Sequence, residues 1–243
     1  MAPRPGRARA GGGAAGPWPD RGRDTIRGMS FRGWPVQALE FFEDLEEDNS
    51  KSFWQANVAV YEANIKHPME ELLAELEPEF GPGKLFRPYR DVRFSKDKSP
   101  YKTNIAAVID PSGYISLSAQ GLGVGAGMYM MASDQLERYR TAVAADTTGT
   151  ELEAIAAAVA KKGYSCGPHE ALKTAPKGYP KDHPRIELLR AKGLIIWQQW
   201  PRAKWLSTSK AKEKVVDVLR TSAPLNDWLD HHVGDSKIPE QRR

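Results

Sequence analysis

An α+β fold, with helices flanking an antiparallel sheet in one globular domain over residues 30–243, is what the order of periodicities in this sequence predicts. Three observations carry that expectation. Apolar residues recur every three or four positions between Val36 and Phe80, alternate with polar residues or glycine between Asn104 and Met130, and return to helical spacing after Ser133.

Taken in order, the elements have local causes. Pro35 stands at a first-turn position, and Val36, Leu39, Phe42 and Leu45 share one face of a short amphipathic helix over 35–47. The capping residues of "DNSKSFWQ" start a second helix, whose stripe of Trp54, Val58, Tyr61, Ile65, Met69, Leu72, Leu76 and Phe80 runs through Pro68. An interior proline costs about 3 kcal/mol, which predicts a kink or restart near His67. "NIAAVID" and "YISLSAQ" alternate on either side of Asp110, Pro111, Ser112 and Gly113, residues suited to a type I turn, so a hairpin is expected. In the strand that follows, Gly121, Gly123, Gly125 and Gly127 fall on one face, with Leu122, Val124, Ala126 and Met128 on the other. Helices are expected from a Ser133 cap and through "GTELEAIAAAVAKKG", then an irregular stretch over 164–184, a short helix in "RIELLRAKG", a strand in "LIIWQQW" and two helices around Pro224.

Composition limits the classes of function. With 243 residues, 40% of them hydrophobic, and seven tryptophans, the chain can close one sizeable core. The single cysteine, Cys166, excludes an internal disulfide framework and a cysteine-rich zinc module, and fits the reducing cytoplasm. No stretch approaches the ~18 consecutive apolar residues of a membrane span. Residues 1–29, rich in Arg, Gly, Ala and Pro, are expected to be disordered and lack the apolar core of a secretory signal; Met29 is an alternative start. That segment holds six of the 35 basic and two of the 31 acidic residues, so its balance of +4 equals the formal charge of the whole chain. The remaining body is neutral, which argues against a double-stranded nucleic-acid binder.

Neutrality of the body hides a segregation of charge. From Glu40 to Glu79 twelve acids accompany two lysines, whereas Lys84 to Asn104 carries seven cations and two acids. Arginine presents a planar fork matched to carboxylate or phosphate, and lysine adds a mobile point charge. Within "RPYRDVRFSKDKSPYKTN", therefore, Arg87, Arg90, Arg93, Lys96, Lys98 and Lys102, with the Tyr101 hydroxyl, read as an anion-binding set. A competing reading makes the same residues an internal salt-bridge network with the acids of 40–79. The bare face at Gly121, Gly123, Gly125 and Gly127 invites something flat, either a ligand, a packed helix or a pair of bulges.

Other candidates are thinner. The glycine run matches G-x-G-x-x-G only with Ala126 in the last place and lies in a meander, so there is no dinucleotide signature. The five histidines never take a zinc-binding spacing, so there is no metal signature either, and no cofactor is indicated. Ser95 and Lys98 have the S-x-x-K spacing without its partner motifs. His183 reads as a structural histidine or a general acid or base, and Cys166 has no basic neighbour to activate it.

"RPYRDVRFSKDKSPYKTN", preceded by "FFEDLEEDNSKSFWQANVAVYE" and followed by "GYISLSAQGLGVGAGMY", "DQLERYR" and "PKGYPKDHPRIELLRAKG", resembles the domain of unknown function 2461 family over about residues 31–220. The resemblance sets a domain boundary after the N-terminal segment and implies no catalytic residue, substrate or cofactor. One departure is "DNSKSFW", where the family pattern has a second asparagine and "WF", which touches local helix packing at Ser50, Phe53 and Trp54.

The expectation for function is binding of an anionic small molecule, phosphorylated or carboxylated, between the 87–104 segment and the glycine strand, with transfer or hydrolysis as the natural chemistry if a reaction follows. Its alternative is an interaction module in which Tyr89, Phe94 and Tyr101, set between cations, dock an acidic protein or single-stranded nucleic acid. Convergent arginines in a hollow would favour the first, and a projecting ridge the second.

Overall fold

In a computed structural model that describes residues 30–111 and 113–238, the first apolar stripe forms α1 (Val36–Glu47), with Pro35 in extended conformation as its N-cap rather than within its first turn. The segment 1–29, expected to be disordered, lies outside the described residues. Ser50 caps α2 (Lys51–Tyr61) by accepting a hydrogen bond from the Phe53 amide. The serine at the position where the family pattern differs thus does the capping an asparagine would do. The expected break near Pro68 is a π-helical turn, Glu62–Lys66, between α2 and α3 (His67–Phe80). The wider turn restarts the helix so that Pro68 falls in the first turn of α3, where no amide is needed.

Six strands form one antiparallel sheet in the order β1-β2-β3-β4-β6-β5: β1 (Gly83–Leu85), β2 (Asn104–Ile109), β3 (Gly113–Ser118), β4 (Gly121–Met128), β5 (Ser165–Gly167) and β6 (Leu194–Trp200). The β2–β3 hairpin is as expected, with a cis Asp110–Pro111 peptide at its turn. Alternation assigns the two faces. Ile105, Ala107, Ile109, Ile115, Leu117, Leu122, Val124, Leu194 and Ile196 are all buried and join a core cluster that runs from Phe31 to Val233. The helices cover that inner face, α7 (Lys210–His232) lying on β4.

The outer face is different. Its strand positions are Lys84, Asn104, Ala106, Val108, Tyr114, Ser116, Ser118, the four glycines of β4, Ile195, Trp197, Gln199, Ser165 and Gly167. Most are half-buried or exposed, and no strand of the sheet contains an aspartate or glutamate.

Two expectations about the second half change. The last helix is continuous through Pro224, because Leu219, Ser222, Leu225, Trp228 and Leu229 keep one buried face across the proline, and that burial outweighs the lost backbone bond. The stretch read as irregular contains β5, whose three residues are a strand only because β6 pairs with them. Between α4 (Ser133–Ala144) and α5 (Asp146–Lys161), the buried Arg185, just before α6 (Ile186–Leu189), donates to the Val143 and Ala144 carbonyls and pairs with Asp146. It thereby satisfies the carbonyls that end α4. No helix among the described residues is long and apolar enough to cross a membrane.

Candidate ligand-binding arm and sheet face

Residues 86–104 form an arm that leaves the sheet from β1 and returns into β2. Its two limbs pair as a short ribbon: the Phe86 amide donates to Ala106, Lys102 to Pro88 and Arg90 to Pro100, and Tyr89 bridges Tyr101. The base of the ribbon is tied to the helical layer twice. Asn49, in the α1–α2 junction, accepts from the Tyr101 amide at 3.0 Å and donates to its carbonyl at 3.2 Å. The Tyr101 ring stacks on Trp54, with centroids 4.3 Å apart and planes within 7°. Tyr101, expected to contact ligand, is therefore 5% exposed and serves as the anchor of the arm.

Beyond that anchor the cations do not converge. Arg90 pairs with Asp97, and Arg93 holds Asp91 bidentately, Nε to Oδ1 at 2.9 Å and Nη2 to Oδ2 at 2.7 Å. The Arg93 guanidinium pushes the Asp91 carboxyl down to about 2. Hydrogen bonds from Ser99, with the Arg90 charge, hold Asp97 lower still. Lys98 donates to the Val92 carbonyl, and Lys102 lies 5.3 Å above the Phe86 ring. Arg87 and Lys96 are exposed and make no ion pair among the described residues. At the tip Phe94 is 95% exposed, with the Arg93 guanidinium 5.9 Å from its ring centre.

The acids of 40–79 do not neutralise this arm. Glu40 and Glu43 hold Arg202, Glu75 holds Lys212 and Glu79 holds Arg220, so α1 and α3 are tied to the C-terminal part of the chain. Among the described residues no ion pair joins 40–79 to 87–104. The separation of charge seen along the sequence thus persists in space.

The glycine strand is filled from within the protein. A side-chain carbon at Gly123 would lie 2.6 Å from Trp197 Cζ2, and one at Gly125 the same distance from Trp197 Cε3. The indole of β6 is the flat object for which the bare strand makes room. Gly121 and Gly127 have positive φ, and backbone of residues 194–202 crowds them. Reading the sequence one strand at a time misses the consequence. Phe86, Tyr114 and Trp197 form a row across the outer face, with centroids 6.4 and 6.3 Å apart, beginning at the arm. The one available signal is the period-two pattern, which puts Trp197 on the same face as the glycines it covers.

The remaining titratable candidates have structural settings. His183 Nδ1 accepts from the Arg185 amide, and burial pushes the Cys166 thiol up to about 11, far from a reactive thiolate.

No curated protein matches the sequence at a significant level. Residues 37–228 do match a family described as conserved hypothetical protein, domain of unknown function 2461, and the chain belongs to that family.

Proposed function

We propose that the protein binds single-stranded nucleic acid along the 86–104 arm and the adjoining outer face of the sheet. The observation that carries this reading is the placement of rings and cations along the arm and onto a sheet face whose strands hold no carboxylate: the exposed Phe94 beside Arg93 at the tip, the exposed Phe86 under Lys102 at the base, then the half-buried Tyr114 and Trp197. A strand offers both partners such a surface needs, phosphates for lysine and arginine and planar bases for the rings, and each stacked base is worth about 1–3 kcal/mol. The neutral body does not suit a duplex. Asn104, Ser116, Ser118 and Gln199 supply uncharged hydrogen-bonding groups on the same face. Arg87, Arg90, Arg93, Lys96, Lys98 and Lys102 act here as a track rather than a clamp, and the single, half-buried thiol suits the cytoplasm.

The test is fluorescence anisotropy of labelled oligouridylate and oligothymidylate with the full chain, beside a Phe94→Ala, Lys96→Ala double variant. Both positions are exposed, so the variant keeps its fold, and binding weakens about tenfold or more. Displacement of the strand by tripolyphosphate or a sugar phosphate at equal phosphate concentration would indicate a small anion as the ligand instead. Binding of polyglutamate by the wild type, with no binding of either oligonucleotide, would indicate an acidic protein surface.

A further inference from the structure

At the end of the outer face away from the arm, where β2 meets its hairpin turn and β4, β6 and β5 lie side by side, is a cavity of about 930 Å³. That is the size of a pocket for a small organic molecule. Its walls are chiefly aromatic and aliphatic: Tyr114 and Trp197 rise from the sheet, and Tyr129 and His169 form a tilted pair, ring centres 3.9 Å apart and planes 31° apart. Among the described residues, no lysine or arginine lines it. Asp110 at the hairpin turn is the one acidic side chain among its described lining residues, exposed and without an ion pair among the described residues; Ser165 adds a hydroxyl.

These features select a ligand by complementarity. Flat walls take a planar ring system by stacking, at ring-centre distances natural to such pairs. A single carboxylate with two acceptor oxygens and no donor rewards a ring edge that presents two parallel N–H groups, and repels an anion. We infer that this cavity is a second ligand site, taking a planar heteroaromatic ring with N–H donors on one edge, of the guanine or pterin kind, stacked among Tyr114, Trp197 and Tyr129 with its donors on Asp110. The ring row runs from the arm to this cavity, so the ligand is either a free small molecule or the base of a bound strand. The inference stands on the cavity alone and does not rest on strand binding by the arm.

The experiment titrates the full chain with guanosine and with pterin by isothermal calorimetry, using 2-naphthoate as an anionic ring of similar size. Neither donor ring carries a phosphate, so the cations of the arm have nothing to hold in this test. Asp110→Asn and Tyr129→Ala alter exposed residues and are compared with the Lys96→Ala arm variant. Expected is one site per chain for guanosine or pterin, weakened at least tenfold by Asp110→Asn and by Tyr129→Ala and unchanged by Lys96→Ala, with 2-naphthoate bound at least tenfold more weakly. Binding of 2-naphthoate as tight as that of the donor rings, indifference to Asp110→Asn, or no binding of either donor ring would overturn the inference. If guanosine binds while oligonucleotides do not, the cavity stands and the strand-binding reading fails; the reverse result fails the cavity alone.

Discussion

The Tyr101 ring lies flat on Trp54, 4.3 Å away, and this contact joins the root of the basic arm to the helical layer. Trp54 also packs edge-on to Phe41 and against Tyr61, so one indole serves both the core and the arm. Trp54→Ala should cost about 3–5 kcal/mol of stability, as large-to-small changes in cores do. It should also free the arm, read as faster tryptic cleavage at Arg93, Lys96 or Lys98 under conditions where the protein stays folded. Phe94→Ala, at the exposed tip, should change stability by less than about 0.5 kcal/mol.

Glycine to alanine within a helix ordinarily stabilises by up to about 1 kcal/mol. Gly149 in α5 should do the opposite, because an added methyl would collide with the Val143 carbonyl and with the Arg185 side chain that caps α4. Gly149→Ala should lose about 1–3 kcal/mol in urea unfolding, as overpacked sites do. A gain would mean that Arg185 does not sit over this glycine.

Gly125→Ala should displace Trp197, since its methyl would lie 2.6 Å from Cε3 of that indole. The measurable result is a shift in tryptophan emission together with weaker oligonucleotide and guanosine binding, from a residue that offers no polar group to either ligand. Ala126→Gly, one residue along and on the inner face, should lower stability without moving that emission.

Stability should fall on the alkaline side in a defined order. Burial raises the Cys166 thiol to about 11, so the fold favours the neutral form: its contribution is full below pH 9 and is lost as pH rises through 11. Tyr164, raised to about 12 by burial and by the neighbouring Asp217, follows between pH 10 and 12. Unfolding free energy measured against pH should therefore begin to drop near pH 9, and Cys166→Ala should flatten the portion between 9 and 11. The same burial predicts slow alkylation of Cys166 at pH 8.

What was legible in the sequence is local. The helical stripe from Trp54 to Phe80, the break at Pro68, the hairpin around Asp110 and the bare face of β4 each follow from spacing within one short stretch of chain. What was not legible depends on partners far along the chain. Glu40 and Glu43 meet Arg202, and Glu79 meets Arg220, at separations no charge pattern encodes. The glycines of β4 wait for Trp197, and Pro224 is overruled by a buried face on both sides of it. For the site, the identity of the basic residues was plain, but Arg90 and Arg93 are taken into self-contained pairs by Asp97 and Asp91, and Lys98 and Lys102 turn to the Val92 carbonyl and the Phe86 ring, partners that only the folded ribbon selects. Tyr101 read as a ligand contact because its ring stands between cations; its burial against Trp54 comes from the return of the arm to the sheet.

The most direct test of strand binding by the arm is the salt dependence of oligouridylate affinity for the wild-type chain and for Lys96→Ala, whose lysine is exposed and unpaired among the described residues. Strand binding by the arm predicts a steep linear fall of log K with log salt, and a slope about 0.7 shallower in the variant, the value for one phosphate contact on a single strand. Equal slopes in the two proteins, or an affinity indifferent to salt, would contradict it.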